Sequence, residues 1–143
     1  MSVENTNIAP PVLEVRGLSH TFILGPKMAW RSRKQQLQAV KNVSLTLQRG
    51  ETLAIVGESG SGKSTLARCL VGIYQPTEGE LYLAGERYDQ SALRRRPELR
   101  RRIQMVFQDP SSSLNPRHRV GRILAEPLRA LGGIRSRTEL AAR

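Results

Sequence analysis

The sequence predicts an α/β fold, and three observations predict it. ETLAIVG, residues 51–57, is a short unbroken apolar run, the pattern of a strand buried on both faces of a parallel sheet. A few residues later Leu66, Cys69, Leu70 and Ile73 fall at the i, i+3, i+4, i+7 spacing of a helix with one buried face. Between the two, GESGSGKS fits G-x-x-x-x-G-K-[ST], with Gly57, Gly62, Lys63 and Ser64 in the fixed places.

The other elements follow in order. PVLEVRGLSHTF alternates apolar and polar residues at Val12 or Leu13, Val15 and Leu18, and reads as a first strand. GPKMAWRSRKQQLQ breaks that pattern with Gly25, Pro26 and a basic polar tract, and is expected to be an exposed loop. AVKNVSLTLQRG sets Val43, Leu45 and Leu47 on one face of a second strand that stops at Gly50. The helix after the glycine-rich loop should end around Gly72, with Pro76 preventing its return and Cys69 serving as a small core residue. GELYLAGE gives another alternating strand, and IQMVF one more apolar strand after an arginine cluster. Asn115 and Pro116 suit a turn, and Val120, Ile123, Leu124 and Leu128 have helical spacing.

A chain of 143 residues fits one modest domain. No run approaches the roughly 20 apolar residues that span a bilayer, and MSVENTNIAPP lacks the basic-then-apolar order of a secretory signal, so a cytosolic protein is expected unless a partner holds it at a membrane. A single cysteine excludes an intrachain disulfide and a cysteine metal cluster. Lys and Arg number 23 against 12 Asp and Glu, a formal charge of +11. Much of it is local: Arg94, Arg95, Arg96, Arg100, Arg101 and Arg102 crowd together with only Glu98 among them. Such a run is a solvated face first, a contact for anionic lipid second and for nucleic acid last, since only Tyr88 and Phe107 are near for bases to stack on. His20 and His118 lack the close partners of a metal or triad site and are assigned no chemistry.

The residue types in the glycine-rich loop each have a reason. Gly60 and Gly62 admit backbone conformations closed to residues with a Cβ, so that successive N–H groups point into one concavity and bind phosphate oxygens. A helix starting near Lys63 directs its positive end at the same anion. Lys63 would reach the β- and γ-phosphates as a point charge, and the Ser64 hydroxyl would ligate Mg²⁺.

LEVRGLSHTF, AVKNVSLTLQRGETLAIVGESGSGKSTLARCLVGIYQPTEGELYLAGE and IQMVFQDP together resemble, in order and spacing, the nucleotide-binding domain of the ABC-type ATPases that power membrane transporters. The resemblance covers nearly the whole chain, and SSSLNPRHRVGRILAEPL is similar to the ATPases of dipeptide, oligopeptide and nickel importers. It implies a P-loop NTPase fold of the ABC type, present as its N-terminal portion of antiparallel strands plus P-loop core and truncated before the Walker B strand. Residues 1–143 would be a partial ATP-binding domain, with a flexible N-terminus at 1–11, a nucleotide-binding core at 12–107, and the Q-loop and start of a helical subdomain at 108–143.

The resemblance also implies the site. ATP would lie against Gly57, Glu58, Ser59, Gly60, Ser61, Gly62, Lys63, Ser64 and Thr65, with Phe22 stacked on the adenine. Gln108 matches the Q-loop glutamine that approaches Mg²⁺ and the attacking water, leaving Lys63 and Gln108 as the catalytic residues and Ser64 and Gln108 as the metal-facing ones. Implied partners are the transmembrane permease subunits of an importer, met through residues 109–127, and a second ATPase subunit, with no nucleic acid expected. The implied location is the cytoplasmic face of the inner membrane, as a peripheral protein.

Hydrolysis needs a carboxylate that supports Mg²⁺ and a group that positions water. Asp109 follows an apolar run, but Pro110 stands where the next carboxylate should be, and neither an LSGGQ-like signature nor a later switch histidine occurs. SRTE, residues 136–139, has the form of a capping box whose helix would have about two turns before Arg143. The expectation is the N-terminal half of a longer ATPase, binding Mg-ATP weakly and hydrolysing it little. Two alternatives stay open: a nucleic-acid-associated ABC-superfamily ATPase fragment, motivated by the charge, and a non-catalytic remnant.

Overall fold

The structure is a computed structural model and describes residues 9–24, 35–109 and 114–132. The chain divides into a unit of residues Met1–Ser91 and a unit of residues Ala92–Arg143.

The first unit is built on a four-stranded antiparallel sheet. Strand β1 (Leu13–Leu24) lies between β2 (Gln35–Leu47) and β3 (Glu78–Leu83), and β4 (Glu86–Tyr88) pairs with β3, giving the order β2-β1-β3-β4. Its buried face carries Val15, Leu18, Val40, Leu81, Leu83 and Tyr88. The turn joining β3 to β4 is two residues long, Ala84 and Gly85, both at positive φ as a tight hairpin turn with the sheet's twist requires.

Strand β1 does not alternate simply. Its register with β2 shifts between Val15 and Leu18, between Leu18 and His20, and between His20 and Thr21, and Leu18, Ser19 and His20 are buried in succession. Side chains replace the disrupted ladder bonds: the Gly17 N–H donates to Ser44 Oγ at 2.9 Å and the Asn42 N–H donates to Ser19 Oγ at 3.0 Å. β3 crosses this bulge closely. A Cβ on Gly79, which stands at φ +93, would lie 2.6 Å from Leu18 Cα, so only glycine fits.

Helix α1 (Lys63–Leu70) buries Leu66 and Cys69, as its periodicity predicts. It ends with Gly72 at φ +73, where the Ile73 N–H donates to the Arg68 carbonyl at 2.8 Å and the Gly72 N–H to the Cys69 carbonyl at 3.0 Å. This reciprocal pair is the stop expected at that glycine. Ile73 lies past the stop and is exposed. Tyr88 reaches from β4 to donate its hydroxyl to the Leu70 carbonyl at 2.9 Å.

In the second unit, α2 (Gln90–Arg95), which begins two residues before the unit boundary, and α3 (Pro97–Arg102) carry the arginine cluster, with Leu93 and Leu99 buried and Pro97 opening α3. Helix α4 (Val120–Gly132) follows a turn in which the Arg117 N–H donates to Asn115 Oδ1 at 3.0 Å and the His118 N–H to the Asn115 carbonyl at 3.0 Å. Arg101 Nε donates to the Leu131 carbonyl near the end of α4, placing a cation where helix carbonyls are otherwise unpaired.

Four expectations need correction. Residues 52–56 form no strand, and Leu53, Ile55 and Val56 are exposed, Val56 to 91%. A strand of that composition is buried only when parallel neighbours pair with it, and no described segment takes that place. IQMVF, residues 103–107, likewise forms no strand, and Val106 is 95% exposed. Residues 35–38, expected in a loop, belong to β2 because they pair with the end of β1, Leu24 opposite Gln35 and Thr21 opposite Gln38. Ile73, expected on the buried face of the first helix, lies beyond its end and is exposed, because Gly72 stops the helix first. The proposed flexible N-terminus, residues 25–34 of the expected loop, the serines after Pro110 and the capping box at 136–139 lie wholly or largely outside the described residues.

Candidate functional site

The glycine-rich loop keeps the form its sequence demands. Gly60 stands at φ +83 and Gly62 at φ +94, both in the left-handed region. At Gly62 there is a second constraint: a Cβ would lie 2.1 Å from the Ala39 carbonyl oxygen of β2. The loop is thus pressed against the sheet at the residue that begins the helix, whose first bond runs from the Leu66 N–H to the Gly62 carbonyl at 2.8 Å. Gly62 offers no side chain to cap the first turn of α1, so its leading N–H groups lack a side-chain acceptor.

Lys63 folds back over the loop. Its Nζ donates to the Gly57 carbonyl at 2.7 Å, the Glu58 carbonyl at 2.6 Å and Ser61 Oγ at 3.2 Å. The Ser61 N–H closes a turn on the Glu58 carbonyl at 3.3 Å. Glu58, Ser59, Gly60 and Ser61 are exposed, as is Ser64 on the first turn of the helix, while Thr65 is half-buried. One ammonium, a helix start whose N–H groups have no side-chain cap and two glycines at positive φ make an anion cradle. The exposed Ser64 hydroxyl beside it is a hard oxygen donor of the kind Mg²⁺ takes.

A cleft of about 650 Å³ opens beside the loop, between β2 and residues 53–57. Its walls are largely aliphatic, with Val40, Val43, Leu45, Leu53, Ile55 and Leu66, and Gly57, Ser61, Gly62 and Lys63 also line it, so the cradle forms one side of the cleft.

Phe22 is half-buried on β1, opposite Leu37 of β2, and so belongs to a hydrogen-bonded ladder. Its ring meets His20 edge to face at a centroid distance of 4.6 Å and Tyr74 at 5.4 Å. Phe22 and the phosphate loop both belong to the first unit. Gln108 belongs to the second, is exposed, and follows residues 104–107, which pair with no described strand.

Sequence reasoning missed His20. Its Nδ1–H donates to the Gln75 carbonyl at 3.0 Å, and its ring stacks on Tyr74 at 5.3 Å, nearly parallel. Counted from Val15, the alternation of β1 puts position 20 on the outer face; the bulge between Val15 and Leu18 reverses this, so that His20 is buried with Leu18 two residues before it. Cys69 is buried beside Leu66 on α1, and burial pushes its thiol up to about 11, away from reactivity.

Comparison with known proteins agrees with this geometry. Residues 40–142 match the family described as ABC transporter, and the chain belongs to that family. It is 47% identical over 119 residues to the oligopeptide transport ATP-binding protein OppF of Haemophilus influenzae, covering 82% of this chain and 36% of that one. It is 50% identical over 118 residues to the putrescine export system ATP-binding protein SapF of Escherichia coli K12, covering 82% and 42%. It is 48% identical over 131 residues to the nickel import ATP-binding protein NikE of Shigella boydii, covering 91% and 47%. The chain therefore spans less than half the length of these relatives. Among solved structures, the ATP-binding cassette MJ0796 in a dimeric post-hydrolysis state bound to ADP and Pi matches with a TM-score of 0.67 at 27% identity, over 91% of this chain and 53% of that one. CbiO1 of Clostridium perfringens, part of the complex cbiONQ, matches with a TM-score of 0.62 at 25% identity, over 93% and 47%. Among the described residues no helix is long and apolar enough to cross a membrane.

Proposed function

We propose that this chain is the nucleotide-binding part of the energy-coupling ATPase subunit of an importer for peptides or nickel. The observation that carries the reading is the cradle itself: Gly60 and Gly62 at positive φ, Gly62 pressed on the Ala39 carbonyl, and Lys63 arched over the loop. The phosphates of ATP would replace the loop carbonyls as partners of Lys63 and would take the N–H groups at the start of α1. Glu58, Ser59, Ser61 and Thr65 would complete the wall, and Phe22 would stack on the adenine.

Mg²⁺, when bound with the nucleotide, neutralises charge on the phosphate oxygens. Ser64 would hold it by its hydroxyl, and Gln108 by its amide oxygen. Gln108 also has the chemistry to orient a water, since its amide both donates and accepts. Relatives named for oligopeptide transport and nickel import support the substrate class. On this reading the partners are transmembrane permease subunits and a second ATPase subunit, and the protein works as a peripheral subunit on the cytoplasmic face of the membrane.

The test is thermal melting with and without excess Mg-ATP, alongside Lys63→Ala. A ligand at 100 times its dissociation constant that binds only the folded chain adds about 2.7 kcal/mol, a shift of several degrees. The shift should vanish in the variant. An equal shift in both would remove Lys63 from the site, and with it the reading.

A further inference from the structure

Phe22 does not stand alone, and the rings around it define a role for two residues that the phosphate loop leaves unexplained. His20 and Tyr74 lie nearly parallel, 5° apart, and Phe22 is perpendicular to both, at 85° and 88°. His20 comes from the bulged part of β1, two residues before Phe22. Tyr74 comes from the connection that leaves α1, where its N–H donates to the Arg68 carbonyl at 3.1 Å and its ring lies under the Arg68 guanidinium at 5.8 Å. The same connection is tied to β1 by Thr77, whose N–H and hydroxyl both donate to the Ser19 carbonyl at 2.9 and 3.0 Å.

The identity of His20 carries information. The position is 8% exposed, and a leucine or valine would fill it with no polar atom left over. The imidazole instead leaves Nε2 buried and without a hydrogen-bond partner among the described residues. What the imidazole supplies is a bridge: Nδ1–H holds the Gln75 carbonyl while the ring lies parallel to Tyr74 and perpendicular to Phe22.

We infer that His20 and Tyr74 are positioning residues, which fix the plane of Phe22 relative to the phosphate-binding helix so that the platform for the nucleotide base is set before the nucleotide arrives. The inference rests on the proposed role of Phe22. Physically it is preorganisation: an aromatic side chain half-exposed on a strand samples several rotamers, and ordering it on binding subtracts from the affinity. The ring cluster spans from β1 to the end of α1, about 7.5 Å of helix from Lys63 to Arg68, so it links the base end of the site to its phosphate end. The role predicts a dependence on the base and none on the phosphates.

The experiment compares Mg-ATP with Mg-tripolyphosphate by calorimetry on the chain and on His20→Ala, Tyr74→Ala, Tyr74→Phe, Phe22→Ala and Lys63→Ala. His20→Ala and Tyr74→Ala should each weaken ATP roughly two- to tenfold, the range of an edge-to-face aromatic pair, with tripolyphosphate unchanged within about twofold. Tyr74→Phe keeps the ring and should bind as the parent does. Tyr74 is half-buried, so its variants answer the question even where His20→Ala does not fold. ATP binding unchanged in both alanine variants, or equal losses for ATP and tripolyphosphate, would overturn the inference. So would Tyr74→Phe behaving like Tyr74→Ala. Failure of the reading beneath it looks different: Lys63→Ala loses both ligands while Phe22→Ala keeps its full affinity for ATP.

Discussion

Alanine at position 62 should cost this chain more than alanine at position 60, although both glycines stand at positive φ. At Gly60, at φ +83, an added Cβ meets nothing within 4 Å, so the cost is the torsional one alone, about 1–2 kcal/mol. At Gly62, at φ +94, the same cost applies, and the Cβ also falls 2.1 Å from the Ala39 carbonyl oxygen and 3.3 Å from its carbon. Neither atom is at the end of a flexible side chain, so β2 and the loop must part by about 1 Å, which adds roughly 1–3 kcal/mol of overpacking. Equilibrium urea unfolding with a common slope separates the two. With a slope of about 2 kcal/mol/M, Gly60→Ala should lower the midpoint by about 0.5–1 M and Gly62→Ala by about 1–2.5 M. Equal midpoints would refute the claim that the loop is pressed on β2. A Gly62→Ala chain as stable as the parent would refute the backbone geometry as well.

Gly79→Ala should destabilise the same unfolding transition by at least about 2 kcal/mol, because its Cβ would fall 2.6 Å from Leu18 Cα at the bulge. Tyr88→Phe removes the donor to the Leu70 carbonyl and should lower stability by about 1 kcal/mol, a drop of a few degrees in Tm. The Cys69 thiol, pushed up to about 11 from 9.0 by burial, stays protonated in the folded chain at pH values where the unfolded chain has lost the proton. Its stabilising effect is therefore complete below pH 9 and lost as pH rises through 11, by roughly 3 kcal/mol, and Cys69→Ala should remove that contribution between pH 9 and 10, below the range in which Tyr88, also pushed up by burial, adds its own. Thiol titration of the native chain at pH 8 should accordingly be slow, and fast in denaturant.

What was legible in the sequence was what local pattern alone decides. Leu66 and Cys69 announce the buried face of α1, Gly72 its stop, and Gly60, Gly62 and Lys63 the cradle, because each depends on residues within a few positions. The alternation in residues 78–83 gives β3 for the same reason. What failed depends on partners distant in the chain. Gln35 and Gln36 are strand residues only because Leu24 and Ile23 face them. The apolar run at 52–56 reads as buried, but burial belongs to a sheet and not to a sequence window. His20 looks solitary until the bulge turns it inward toward Gln75, 55 residues away. Gln108 and Phe22 entered through resemblance, and periodicity offered nothing to distinguish them from a loop amide and a strand aromatic.

The three contacts of Lys63 bear on how affinity for the site should be understood. An ammonium that waited in water would lose its hydration on meeting a phosphate; this one already has two carbonyls and a hydroxyl in place of much of that shell. Binding an anion there is an exchange of acceptors, neutral oxygens for charged ones, and the observed free energy is the difference between the two sets. It follows that substitutions which loosen the loop carbonyls could tighten the hold on an anion while making the empty loop less ordered. Affinity and loop order would then move in opposite directions in a series of variants at positions 57, 58 and 61.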